Sequence, residues 1–220
     1  TYPYMNSAKQ IIDHKIFSVL NHPKIDVYLN TEIEQVFGYV GNFETDIKPN
    51  GKEVKLNFGN VIVATGLKPF DAKKVLNYGY GKLPNVITSI EFEQVLKSGI
   101  IITRDGRVPK DIAIIHCVGS RNEDYNTYCS RTCCMAALKF MNQIKSALPE
   151  TNIYDIYSDM RAFGKGCEEL YSTTSKKNVM FLTFDHKNNL PQIRQASYKD
   201  SCNLLIEFKE KFSGEIFERK

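Results

Sequence analysis

The sequence predicts an α/β fold built on a parallel sheet and followed by an antiparallel meander. Three short apolar runs, at residues 111–116, 153–157 and 179–182, are separated by stretches of helical periodicity. Strands that alternate with helices at this spacing pair in parallel, because each crossover returns the chain in the same direction. After the third run, residues 192–198, 203–208 and 215–218 read as short strands in succession, the pattern of a meander capping that sheet.

Ahead of this region, residues 7–20 read as a helix whose stripe is Ile11, Ile12, Ile16, Val19 and Leu20, ended by His22-Pro23. Residues 25–29 alternate like a strand. Residues 35–47 read as a strand pair turned near Gly38-Tyr39-Val40-Gly41-Asn42, and Pro49-Asn50-Gly51 is a turn. Residues 52–58 alternate again, and residues 60–64 form a short buried strand ending in Thr65-Gly66. The stretch 67–110 is punctuated by Pro69, Gly79, Gly81, Pro84, Gly99, Gly106 and Pro109. Within it, residues 89–96 suit a helix with Ser89 as N-cap and Phe92, Val95 and Leu96 on one face. Residues 129–148 form the longest helical pattern, with Met135, Leu138, Met141, Ile144 and Leu148 on one face and Pro149 closing it. Residues 168–174 form another helix. The expected organisation is a first domain over 1–66, a connecting segment over 67–110 and a second domain over 111–220.

Composition narrows the function. The chain has 220 residues, 42% of them hydrophobic and 25% charged, with a net charge of +4. Lys and Arg are interspersed with Asp and Glu, so there is no basic block for nucleic acid. No apolar run approaches the length needed to span a bilayer. The first residues, Thr1-Tyr2-Pro3-Tyr4, lack both an initial Met and the basic-then-apolar order of an export signal. The expectation is a cut piece of a longer chain, in the cytoplasm.

Chemistry concentrates in the cysteines. Four of the six lie between Cys117 and Cys134, as Cys117, Cys129, Cys133 and Cys134. In a reducing compartment such a cluster binds metal or does redox work, rather than forming bridges. Cys129 and Cys133 are four apart, so at a helix start they share a face. Cys117 enters from the end of a strand. A single Zn²⁺ draws four sulfurs to about 2.3 Å from one point, which adjacent cysteines fit poorly. A [4Fe–4S] cube spaces its irons and tolerates divergence, and four cysteines complete it. Spacing favours the cluster and leaves zinc and free or redox-active thiols open. Cys167 and Cys202 are solitary and read as small buried hydrophobes. His116 precedes the first cysteine, and strand alternation points it away from Cys117.

Dinucleotide signals are thin. Thr65-Gly66 at a strand end lets a backbone approach a nucleotide, but many buried strands end this way. No G-x-G-x-x-G occurs, and residues 111–116 lead only into Cys117-Val118-Gly119-Ser120. Asp159 stands where a ribose-binding acid would, and more simply reads as a solvated carboxylate. Arg161, Lys165, Gly164 and Gly166 could face an anion or simply enter a helix. The alternatives to an electron carrier are therefore a zinc-stabilised interaction domain and a nicotinamide-dependent disulfide reductase using a thiol pair.

Seven stretches in order carry a resemblance: His22-Pro23-Lys24-Ile25; Val36 to Phe43; Val61 to Gly66 with Pro69-Phe70-Asp71; Tyr78-Gly79-Tyr80-Gly81 through Thr88; Cys117 to Arg121; Tyr128-Cys129 to Cys133-Cys134-Met135; and Asp159 to Gly166. Together they resemble the A subunits of heterodisulfide reductase, a family of iron–sulfur flavoproteins. The resemblance implies a thioredoxin-reductase-like core, with a Rossmann-like parallel sheet and meander preceded by a partial FAD-binding-type subdomain. It implies electron transfer between FAD and [4Fe–4S] clusters, and other redox subunits as partners, leaving oligomerisation open. It makes Cys117, Cys129, Cys133 and Cys134 cluster ligands and places Ala64, Thr65 and Gly66 against FAD. The family's glycine-rich FAD fingerprint, its inserted ferredoxin module and its C-terminal Gly-Asp FAD contact are absent. The chain thus reads as the middle of the family's core, with an incomplete FAD grip and no expected activity alone.

Overall fold

The computed structural model describes residues 1–197 and 200–220. Contacts divide the chain into two compact units, one formed by residues 7–68 and the other by residues 1–6 with 69–220.

The smaller unit holds helix α1 (Ala8–Leu20) and an antiparallel sheet of β1 (Phe37–Tyr39), β2 (Asn42–Ile47) and β3 (Val54–Phe58) in the order β1-β2-β3. Ser7 caps α1 by accepting the Gln10 N–H. Phe43 pairs with Phe58 across the sheet, and Thr45 and Ile47 of β2 are buried. Two expected strands do not form here. Residues 25–29 and 60–64 lie outside the sheet, and Ile62 is 90% exposed. A strand exists only where its N–H and C=O groups find a neighbour, and β1–β3 pair only with one another. The apolar run 61–63 therefore stays irregular despite its β-branched content.

The larger unit is mixed α/β. Strands β4 (Asp111–Ile115), β5 (Asn152–Tyr157) and β6 (Val179–Thr183) form a parallel sheet in sequence order. Helix α3 (Cys133–Ala147) crosses from β4 to β5, and α4 (Cys167–Ser175) from β5 to β6. Helix α2 (Ser89–Ser98) precedes them. Its N-cap is Thr88 rather than Ser89. Thr88 Oγ1 accepts the Glu91 N–H, while the Glu91 carboxylate accepts the Thr88 N–H at 2.7 Å, closing a capping box.

One face of the sheet packs against the helices. Leu138, Met141 and Ile144 of α3 are fully buried among Ile153, Leu170, Ile112 and Ile114, with Phe92 of α2 edge-on to Phe140. The expected stripe on this helix holds, with Leu148 only half-buried just past its end. Buried Asn142 donates to Thr174 Oγ1 at 2.6 Å, tying α3 to α4. The opposite face, through Tyr154 and Ile156, packs on an antiparallel meander of β7 (Gln192–Ser197), β8 (Asp200–Lys209) and β9 (Ile216–Arg219). The last residue of the predicted strand 192–198, Tyr198, lies outside the described residues.

Glu210 joins the two sheets. Its carboxylate accepts from Thr183 Oγ1 and from the N–H groups of Thr183, Phe212 and Ser213. Desolvation would raise this carboxyl, but the backbone and hydroxyl donors outweigh it and hold the pKa down to about 2.

Leu138→Ala is expected to lower stability by about 2–5 kcal/mol in urea denaturation. Phe212→Ala, at 80% exposed, should stay within about 0.5 kcal/mol. The depressed Glu210 pKa sets a sign: its contribution is present above the unfolded value of 4.5 and is lost as pH falls toward about 2. Glu210→Gln should therefore flatten the acid limb of the stability-versus-pH curve between those values.

Candidate metal centre

The candidate centre lies at the carboxyl ends of β4 and β5, where the chain leaves β4 and enters α3. Cys117 takes a left-handed conformation with φ 58°, as do Arg121 (57°) and Arg131 (61°) in the same connection. Non-glycine residues rarely adopt this conformation, and three in one loop mark backbone held for a purpose. Gly119, at φ 71°, lies flat against the Phe70 ring, so a Cβ there would overlap it. Phe70 in turn stacks edge-on with Tyr125, whose hydroxyl donates to the Lys74 carbonyl at 2.9 Å. Asn126 Nδ2 donates to the Gly119 carbonyl and the Arg121 N–H to the Tyr128 carbonyl, which folds the loop back on itself.

Three predicted cysteines come together. Cys117 and Cys134 are buried, with Cys133 half-buried between them. Cys117 hydrogen-bonds Cys133 and so does Cys134; the first contact holds the Cys133 thiol well below its ordinary range, while its two neighbours are pushed up. Cys133 and Cys134 are the first two residues of α3, whose first turn has neither an acidic residue nor a side-chain cap. The helix N-terminus favours a thiolate there. Cys134 Sγ also lies 3.8 Å from the Asp159 carbonyl. Asp159 is paired with Arg121 rather than merely solvated, and the hydrogen bond from Arg121 holds its carboxyl below the ordinary value.

Cys129 is placed differently. The helix begins at Cys133, not at 129, so Cys129 and Cys133 do not share a helical face. Ser130, Arg131 and Thr132 separate Cys129 from the helix, and left-handed Arg131 breaks any earlier turn. Cys129 Sγ accepts the Arg131 N–H at 3.3 Å and lies on the wall of an open cleft with Tyr128, Arg131, Met160, Arg161, Ala162 and Phe163. Arg131 sits over the Phe163 ring, its guanidinium carbon 4.8 Å from the centroid. Gly166 is the N-cap of α4, so residues 164–166 form a helix entry.

His116 keeps the strand alternation and meets Cys133 and Cys134. It shares the parity of Ile112 and Ile114 and faces the helices, where α3 begins. A ring nitrogen of His116 and the sulfurs of Cys133 and Cys134 all lie within 4.8 Å of one another. His116 Nε2 is 2.7 Å from Asp155 Oδ1, with both side chains buried. Burial alone would lower the imidazole pKa, but the charge and hydrogen bond of Asp155 hold it above the ordinary value. Asp155 has a signal in the sequence: it is a lone carboxylate inside the apolar run Ile153-Tyr154-Asp155-Ile156. The donor chemistry fits a thiophilic cation or cluster, because a metal would take the place of the protons on Cys117 and Cys134. Ala64, Thr65 and Gly66 belong to the smaller unit and are exposed and irregular.

No protein-family model matches the chain. Curated relatives do. The chain is 29% identical over 307 aligned positions to the first of two iron-sulfur A subunits of the CoB–CoM heterodisulfide reductase of Methanopyrus kandleri, covering 99% of the chain and 45% of that protein. It is 43% identical over 133 residues, 57% of the chain and 20% of the relative, to the A subunit of the H(2):CoB-CoM heterodisulfide,ferredoxin reductase of Methanothermobacter thermautotrophicus. The chain belongs to the family of heterodisulfide reductase A subunits. It is 36% identical over 175 residues to the second Methanopyrus kandleri protein of this kind, covering 76% of the chain and 26% of that relative. The chain thus spans less than half the length of these relatives. The 307 aligned positions exceed the chain's 220 residues, so the first relative carries residues that have no counterpart here. Among the described residues, no helix is long and apolar enough to cross a membrane.

Gly119→Ala should push Phe70 aside and loosen the turn that buries Cys117. Faster alkylation of Cys117 by iodoacetamide, followed by mass spectrometry, is the expected result. Gly106→Ala has a similar φ, 80°, but open space around its Cβ, and should leave that rate unchanged.

Proposed function

We propose that the chain is the electron-carrying part of an oxidoreductase subunit of the heterodisulfide reductase type. In this reading Cys117, Cys129, Cys133 and Cys134 hold a [4Fe–4S] cluster. The observation that carries it is the cysteine trio in mutual hydrogen-bond contact at the start of α3, in a chain whose relatives are named iron-sulfur subunits. The cluster, when bound, supplies one-electron chemistry to or from FAD. The chain's own residues hold and surround it. Cys117 comes from the strand end and Cys133 and Cys134 from the helix start, and Cys129 closes the set by movement of its exposed loop. Ala64, Thr65 and Gly66 would contribute one wall of an FAD site, the remaining contacts coming from elsewhere.

The domains in this reading are a partial FAD-binding domain over 1–66, a connecting segment over 67–110 and a Rossmann-like domain over 111–220. The partners are other redox subunits of a heterodisulfide-reductase-like complex, in the cytoplasm. A zinc-held interaction module is the second reading, favoured by one observation: atoms within 4.8 Å of one another also suit a single ion.

Anaerobic reconstitution with ferrous iron and sulfide tests both. About four iron and four sulfide per chain are expected, with a broad visible absorbance. A colourless protein holding one zinc and no sulfide would establish the second reading. Cys133→Ser should lose most of the iron and Cys202→Ser should keep it; equal retention refutes the ligand assignment.

A further inference from the structure

His116 and Asp155 form a pair sealed at the ends of β4 and β5, 2% and 0% exposed. Ile114, its register partner Asp155 and Phe181 share one face of the sheet, so the pair points toward α3. Asp155 Oδ1 fixes the ring through Nε2. His116 Nδ1 is buried and has no hydrogen-bond partner among the described residues. A buried polar atom without a partner is destabilising, and its retention points to a group that satisfies it. Acceptors close to the ring include the sulfurs of Cys133 and Cys134, which lie within 4.8 Å of one of its nitrogens. The other polar neighbours do not supply one: Tyr157 meets the ring at a centroid distance of 6.1 Å, and Arg121 is engaged by Asp159.

We propose that His116, oriented by Asp155, donates its Nδ1–H to a sulfur of the metal centre and raises that centre's reduction potential. His116 is then a positioning and tuning residue, not a ligand. The inference rests on the iron–sulfur reading above. Donation requires a proton on Nδ1, and the 2.7 Å contact between Nε2 and Asp155 Oδ1 is then completed by the one proton that ring and carboxyl share. A hydrogen bond to sulfur draws electron density from the cluster and stabilises its more negative, reduced form. The same bond would also fix the side on which Cys133 meets the metal.

The test is a potentiometric titration, followed by electron paramagnetic resonance, of the anaerobically reconstituted chain and three variants. H116L is expected to keep its iron and sulfide content and to titrate at a lower potential. H116Q, which retains an N–H, should recover part of the loss. D155N should shift in the same direction as H116L. If H116L holds no iron, the D155N potential decides alone, and a value equal to the parent chain overturns the inference. Unshifted potentials in both variants overturn it too, as does strong nitrogen hyperfine coupling, which would make the ring a ligand. A parent chain that takes up no iron and sulfide sinks the cluster reading, and this inference with it. A loaded parent chain with unshifted variants sinks this inference alone.

Discussion

Three sulfurs crowded at the start of one helix, two of them buried, are the constraint on which the larger unit is organised. Thiols this close, and this poorly hydrated, cannot all ionise, because each new charge would repel the last in a medium of low dielectric. Cys133 is the thiol most favoured to ionise, because it has thiol donors on both sides and an imidazole nearby. The helix contributes as well. A first turn without a carboxylate or a side-chain cap leaves its N–H groups to the sulfurs. Only a cation or a cationic cluster lets all the thiols shed their protons together.

That constraint explains features that otherwise look costly. Cys117 is held at positive φ, an uncommon conformation for a residue with a side chain, where the chain leaves β4. Gly119 supplies the flat surface that Phe70 covers, and Phe70 is braced by Tyr125. The sheet does the rest. Binding groups in α/β folds gather beyond the carboxyl ends of the strands, where successive loops converge. Here the loops after β4 and β5 converge, and Cys134 meets the Asp159 carbonyl across the seam. The fully buried stripe of α3 anchors the helix whose first two residues are the sulfurs, so packing far from the site sets the position of the site.

The strand–helix–strand order, the stripe on α3 and the meander are legible because each is a periodicity with a partner to satisfy it. Helix starts are less legible. Thr88 and Ser89 are both good caps, and only the reach of Glu91 back to Thr88 separates them. Residues 129–132 have nothing against helix by composition; left-handed Arg131 excludes it, and that conformation leaves no mark in the sequence. The nearness of His116 to Cys133 and Cys134 is not visible in the sequence, because the handedness of the turn after it leaves no mark there. Asp155 is findable, since a carboxylate inside an apolar strand requires a partner. His116 is one of few residues able to provide it.

The smaller unit shows the other side of the same rule. Hydrophobic pattern records what a segment is able to bury, whereas structure records what it does bury. Residues 61–63 and the stripe on α1 carry the pattern, yet both are exposed, since neither has a neighbouring strand or face within the unit. The metal centre does not share this condition. Cys117, Cys129, Cys133 and Cys134, together with His116 and Asp155, belong to one unit whose core is closed around α3. The segment proposed to meet FAD belongs to the other. The residues proposed for a cluster and those proposed for a flavin therefore lie in different units, and the first set has its determinants within a single packed body.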